Sequence, residues 1–355
     1  MKKGKKVLSL LLAAVMIMGT FTGCGSDKKE TAAGGKTETK RIALITDPVG
    51  TNPFLTQIVD KLDEIKETGT YPIEYSLVEC TDGTAWSENV RASVEENYDL
   101  IMAVGFKAAD PMKQVSEQFP DKAKYVVIDT TCDSPYVKSY IFKPQEGAYL
   151  VGAMAALISA DMGKPRGPFG AVHANPGQGS FEWRYGYMEG AKAVNPEIQT
   201  SDFIFNYTKS YSDAPIAKEL ALQQAAQGCT FINAASAVAD FGTFEAAKEK
   251  GFYTSGQDFD RTDPNNEFIV TTQVKYTGLV AEQVVKDLFD EKIEPGVTSL
   301  GLADGVIGAT YITDDGVNPR SKVLTDEIIK QVKGYAEDIK SGKLKIEVPL
   351  EADYK

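Results

Sequence analysis

Short apolar runs recur along this chain at a nearly constant interval, each followed by a helical pattern, and that cadence limits the folds open to it. The runs begin at Ile42, Ile73, Leu100 and Tyr125, steps of 31, 27 and 25 residues. A long Ala-rich helical stretch follows at 145–162, apolar on several faces and therefore expected to be well buried. The runs then resume at Phe169, Phe203, Thr230 and Phe252, steps of 34, 27 and 22. Strands alternating with helices predict parallel sheets with helices on both faces. Two series of similar pitch predict an α/β chain with two similar Rossmann-like lobes, separated by the turn-rich Gly163-Lys164-Pro165-Arg166-Gly167-Pro168.

Past the second series the pattern loosens. It reads as a strand at 268–274, a helix at 276–290, short strands at 299–302 and 306–311, an amphipathic helix at 325–341 and an edge strand at 343–348. A chain with this much left after two lobes must cross back between them. Crossings near 142–145, 271–275 and 312 form a multi-strand hinge. The expected division is 41–142 plus 275–312 for lobe 1 and 143–274 plus 313–355 for lobe 2.

The first residues stand outside this scheme. Lys2, Lys3, Lys5 and Lys6 precede an apolar run, 7–17, too short to span a bilayer comfortably. Thr22, Gly23 and Cys24 close it. Small residues before a Cys resemble the bacterial lipobox, so 1–23 is expected to be a lipoprotein signal peptide and Cys24 the lipidated residue. Residues 24–40, rich in Gly, Thr, Lys and Glu, are an expected flexible tether. The protein would then face the extracytoplasmic side of the cell membrane, held through its lipid alone.

Removing residues 1–23 leaves 34 basic residues against 50 acidic, a net charge of −16. Such a surface argues against nucleic acid as a partner. Cys80, Cys132 and Cys229 are isolated and not in CxxC spacing, which makes zinc and a disulfide framework unattractive and favours buried thiols.

In open α/β sheets ligands lie outside the carboxyl ends of the strands. Lobe 1 offers Asp47, Asn52 and Phe54 there, then Gly105, Phe106 and Asp110, then Asp129. Lobe 2 offers Asn175, Gln178, Phe181 and Trp183, then Asn206, Ser236, Gln257 and Asp258, with Lys275 just past the second crossing. Carboxylates and amides among aromatics suit a planar, neutral, hydroxylated ligand. Rings stack on its plane, and Asp accepts hydrogen bonds from its hydroxyl or ring N–H groups. Each residue also has a plainer role: an Asp after a strand can simply cap a helix, and Trp183 can be core.

These residues lie in blocks that resemble the basic membrane protein family of bacterial substrate-binding lipoproteins. ALITD with the later PF and Gln57, DLIMAVGF, YVVIDTTCD, IFKPQEGAYLVGAMAA, WRYGYMEGAK, INAASAVADFGTFEAAKEKG, GQDFD and TTQVKYTGLVAEQVVKD follow the family order over nearly the whole mature chain. The resemblance implies a type I periplasmic-binding-protein fold and a monomer that captures a purine nucleoside for an ABC permease. It implies Phe54 and Trp183 as aromatics sandwiching the base, and Asp47, Asp110, Asp258 and Lys275 as polar contacts to base and ribose. This chain departs from the family pattern at Leu55, where the family has Asn, and at Ala235-Ser236-Ala237-Val238, which replaces a glycine-rich loop. Trp183 replaces a Phe. Family members that take free purines or riboflavin define the alternative ligands.

A binding protein needs no cofactor. The competing reading is an exported nucleoside-processing enzyme using paired Asp residues. Against it, His173 is the only His, without an acid partner nearby in sequence, and no G-x-S-x-G, Walker A or HExxH motif occurs. A sensor that presents its ligand state to a partner protein is a third reading, because fold alone does not decide function.

Overall fold

The strand–helix cadence resolves, in a computed structural model that describes residues 38–354, into two six-stranded sheets. The first contains β1 (Lys40–Thr46), β2 (Ile73–Glu79), β3 (Leu100–Val104), β4 (Lys124–Ile128), β5 (Val137–Phe142) and β11 (Gly296–Leu300), in the order β11-β5-β4-β3-β1-β2. Every pairing in it is parallel. The second contains β6 (Phe169–His173), β7 (Phe203–Tyr207), β8 (Phe231–Ala235), β9 (Tyr253–Asp258), β10 (Ile269–Lys275) and β12 (Ile307–Ala309), in the order β12-β10-β9-β8-β6-β7. Only the β10–β12 pairing is antiparallel.

Central parallel strands are covered on both faces, which is why they read as unbroken apolar runs. In β1, Ile42 and Leu44 enter one core cluster while Ala43 and Ile45 enter the cluster on the opposite face. All four are fully buried, and each of the larger side chains contributes about 1.5–3 kcal/mol of burial free energy.

The helix α1 (Pro53–Thr68) follows. Asn52 caps it by accepting a hydrogen bond from the Phe54 N–H at 3.1 Å, Pro53 occupies the first turn, and Leu55, Ile58, Leu62 and Ile65 form its buried stripe. The helices α2 (Gly83–Glu95) and α3 (Ala109–Gln118) complete the first part of lobe 1. The long helix α4 (Pro144–Asp161) packs along α5 (Gln178–Val194). A Cβ on Gly152, Gly186 or Gly190 would run into the carbonyls of Tyr187, Gln145 or Tyr149, so these glycines permit the close approach. Then come α6 (Ala214–Ala226), α7 (Asp240–Lys250), α8 (Thr277–Phe289), which packs on α1, and α9 (Asp326–Lys340), which packs on α4.

Three differences from the sequence reading concern the hinge and the tail. Lys275 and Ile307 face each other across the antiparallel β10–β12 pair in the second sheet. The stretch from 275 to 312 therefore does not lie wholly in lobe 1: β10 keeps Lys275, and the third crossing falls between Leu300 and Ile307 rather than near 312. Residues 343–348 form no strand. Their alternation imitates one, but no ladder forms: one side-chain amide reaches the segment and a second holds the residues just after it. Gln145 Nε2 donates to the Ile346 carbonyl at 3.4 Å, and Gln178 binds the Pro349 carbonyl at 3.1 Å and the Glu351 N–H at 2.8 Å. Farther on, Glu351 pairs with Arg184, and the Tyr354 ring packs on Phe181 and Tyr185. The first strand also starts at Lys40, inside the expected tether, because the Lys40 N–H bonds the Pro72 carbonyl.

Cys24, the expected signal peptide and nearly all of the tether lie outside the described residues. Cys80, Cys132 and Cys229 are buried free thiols, and burial raises the pKa of each. Among the described residues no helix is long and apolar enough to cross a membrane.

Candidate functional site

The two sheets meet through their strand ends at Lys275 and Asp129. Lys275 ends β10 in the second sheet, Asp129 follows β4 in the first, and their ion pair spans 2.9 Å between the lobes. The Lys275 side chain is 7% exposed. Its ammonium lies 5.0 Å from the Phe142 ring centroid, 5.2 Å from Phe54 and 5.4 Å from Trp183. An ammonium against several ring faces gains from each quadrupole, and more so when desolvated. Burial works against the Lys275 charge, but Asp129 and then Asp258 outweigh it, so its pKa stands above the ordinary lysine value.

Asp258 ends β9 beside this pair and is 2% exposed. Burial pushes its carboxyl up to about 6; Lys275 opposes the rise and Asp129 adds to it. Glu182, next to Trp183 on α5, is also raised by burial, with Lys275 pulling the other way. Gln57 ties the lobes together: its Nε2 faces the Pro53 carbonyl of its own helix at 3.1 Å, the Lys275 carbonyl at 3.2 Å and the Asp258 carbonyl at 3.5 Å. Thr277 Oγ1 donates to the Phe54 carbonyl at 2.7 Å, which fixes the backbone carrying that ring.

Backbone strain collects at the same strand ends. Asp129, Asp258 and Ala237 have φ of 66°, 74° and 56°. A left-handed conformation in a non-glycine residue costs on the order of 1–3 kcal/mol and persists where surrounding structure enforces it. Ala237 follows β8 and adopts a turn that a glycine would take most easily.

Five expected residues thus come together: Phe54, Asp129, Trp183, Asp258 and Lys275. Trp183, 7% exposed, is also part of the main core cluster. The others are placed differently. Asp47 is half-buried at the end of β1 and pairs with Lys107 at 2.9 Å. Asn52 uses its side chain as the α1 cap. Phe106 stands 69% exposed after β3, and Asp110 is exposed in the first turn of α3. Leu55 is buried in the core. Asn206 accepts from Gln224 at 2.7 Å, and His173 is enclosed between Ser180 and Asn233.

Several residues at the strand ends escaped the sequence reading. Phe142 completes the cage around Lys275. Arg261 is buried among the rings of Phe241, Phe244 and Phe259 at 4.7–5.2 Å. Asp240 is fully buried; burial pushes its carboxyl up to about 7 against the pull of Arg261, and its Oδ1 accepts from the Ser236 N–H at 2.6 Å. Tyr211, Phe241 and Phe259 expose 52%, 53% and 40% of their surface near the ends of lobe 2 strands. An exposed aromatic shortly after a strand is the signal that would have found them. Among the described residues no group of His, Cys, Asp and Glu is arranged to hold a metal ion.

Comparison with known proteins agrees with this architecture. The model of a family described as ABC transporter substrate-binding protein PnrA-like matches residues 40–349. Basic membrane protein A1 of Borrelia garinii is 28% identical over 347 residues, covering 91% of this chain and 95% of that protein. The CD4+ T-cell-stimulating antigen of Listeria monocytogenes is 23% identical, covering 96% of each. Among solved structures, an ABC transporter solute-binding protein from Aeropyrum pernix aligns with a TM-score of 0.75 at 22% identity, over 88% of this chain and 95% of that one. A solute-binding protein from Conexibacter woesei aligns at 0.68 and 18%, over 88% and 100%. At such identities the structural likeness establishes the fold alone.

Proposed function

The chain belongs to the family of PnrA-like ABC transporter substrate-binding proteins, and from that premise we propose that it captures a purine nucleoside between its lobes and delivers it to a membrane permease. Proteins of this class bind a small molecule outside the cytoplasm and hand it to their transporter. The further elements of the proposal are the nucleoside, the residues that hold it, and a lipid anchor at Cys24.

The observation that carries the reading is the interlobe pair of Lys275 and Asp129, set among Phe54, Phe142 and Trp183 with Asp258 alongside. An aromatic wall next to one ammonium and two carboxylates matches a ligand with a planar ring and several hydroxyls. Asp258 and Asp129 would accept from ribose hydroxyls or ring N–H groups, and Lys275 would donate to a ring or carbonyl acceptor. Phe54 and Trp183 would flank the base. Asp47, Phe106 and Asp110 would join from lobe 1 as the lobes close, a hinge movement about the three crossings.

A thermal-shift panel tests the ligand class. Inosine, guanosine and adenosine are set against cytidine, uridine, free purines and riboflavin. A ligand present at 100 to 1,000 times its dissociation constant raises stability by about 3–4 kcal/mol. A shift with purine nucleosides and no other compound supports the proposal. A shift confined to riboflavin or to free purines moves the substrate, and conversion of a bound nucleoside to product favours the enzyme reading.

A further inference from the structure

Arg261 differs from the other buried charges of lobe 2 in that most of its hydrogen-bonding capacity is unused. It lies three residues after Asp258, just past the carboxyl end of β9. Its guanidinium is held 4.7 Å from the ring centroid of Phe241 and 5.2 Å from those of Phe244 and Phe259. Its backbone N–H donates to Thr272 Oγ1 at 2.8 Å. Its stem lies on Gly256 of β9, where an added Cβ would sit 2.5 Å from the Arg261 Cβ and Cγ. The head group is thus fixed by packing. A guanidinium carries five N–H donors. Among the described residues this one makes a single side-chain hydrogen bond, from Nη1 to the Ala237 carbonyl at 3.4 Å, and no ion pair.

The surroundings of Arg261 are those of the interlobe site. The Ala237–Ala239 turn, which receives the Nη1 bond, packs against α1, the lobe 1 helix that carries Phe54 and Gln57. Gln57 Nε2 in turn faces the Asp258 carbonyl at 3.5 Å. Phe241 and Phe259 are exposed, so the cage is open where the strands end. The buried carboxyls of Asp240 and Asp258 both lie in the field of Arg261, yet among the described residues neither comes within ion-pair distance of it. The charge is therefore balanced while the N–H groups stay available. That combination favours a neutral oxygen acceptor over an anion.

A sugar hydroxyl is such an acceptor, and it is a donor as well. A carboxylate satisfies only its donor half. A guanidinium edge satisfies the other half, and its two N–H groups can span two adjacent oxygens. We propose that Arg261 is a specificity-determining residue of the interlobe site, donating to the ribose hydroxyls whose own hydrogens Asp258 accepts. The inference rests on the nucleoside reading above and narrows it: the ligand carries an intact ribose diol, and nucleosides lacking those hydroxyls are rejected because the buried donors are then left unpaired.

Calorimetric titration of the full chain at about pH 8, where carboxylates are ionised, compares inosine with 2′,3′-dideoxyinosine in wild type, Arg261→Met and Arg261→Lys. Wild type is expected to bind inosine at least about a hundredfold more tightly than the dideoxy compound. Arg261→Met keeps an apolar stem among the rings and removes every donor. It should cut that preference at least about tenfold, by weakening inosine alone. Arg261→Lys keeps the charge among the rings without the fork and should lose at least about threefold of the preference. A merely structural role would weaken both compounds equally and leave their ratio unchanged. An unchanged ratio in the variants, or no preference for inosine in wild type, overturns the inference and leaves the nucleoside reading standing. If inosine, guanosine and adenosine all fail to bind wild type, both fall.

Discussion

Asp258→Asn isolates the cost of keeping a carboxylate in the interlobe cluster. The carboxyl titrates at about 6 in the folded chain against an ordinary value of 3.8, chiefly through burial. A difference of about 2 pH units corresponds to about 3 kcal/mol between the two protonation states. Because the folded pKa lies above the unfolded one, the protonated form is favoured by folding. The associated stability is complete below about pH 4 and is lost as pH rises through about 6. Asn has nearly the same shape and does not ionise. Urea unfolding of wild type and variant across pH 4 to 7 should therefore show the variant-minus-wild-type stability rising by about 3 kcal/mol with pH, whatever constant offset the substitution adds. A difference that stays flat, or falls with pH, would show that Asp258 is not a desolvated carboxylate and would refute the description of the cluster.

Other perturbations probe the surrounding frame. His173 is wholly buried and its pKa is lowered to about 4, so charging it opposes folding: wild type loses about 3 kcal/mol from this group as pH falls from about 6.5 to 4, and His173→Gln, compared with wild type by the same unfolding series, should lack that loss. Gly190→Ala pushes a Cβ against the Tyr149 carbonyl and should cost at least about 1–3 kcal/mol by chemical denaturation, with α4 and α5 forced apart. Glu351→Ala removes the partner of the buried Arg184; since Glu351 is itself 36% exposed, the expected loss is about 1–2 kcal/mol, read as a lowered unfolding midpoint.

Much of the fold was legible because its signals are local. The apolar runs expected to begin at Ile73, Leu100, Phe169 and Phe203 open β2, β3, β6 and β7 at those residues. What was missed depends on pairing between distant segments. Ile307 joins the second sheet only because Lys275 offers an open antiparallel edge, which no periodicity reveals. The 343–348 segment alternates like a strand but finds the Gln145 side chain, on the Ile346 carbonyl, instead of a neighbouring strand. The site shows the same division. Lys275 and Asp258 were visible as polar residues ending strands. The Asp129–Lys275 pair joins residues 146 apart in the chain, and the Phe142 contribution needs the hinge geometry. Asn52 and Asp47 follow a strand end in the same way, and there the structure shows a helix cap and an ion pair with Lys107.

The central claim is that a purine nucleoside occupies the interlobe site around Lys275. Its most direct test is calorimetric titration of the chain with inosine, in wild type and in Lys275→Met, which keeps the apolar stem and removes the ammonium. Saturable binding at one site, weakened at least tenfold in the variant, is the predicted result. No binding of inosine, guanosine or adenosine, or wild-type affinity in Lys275→Met, would contradict it.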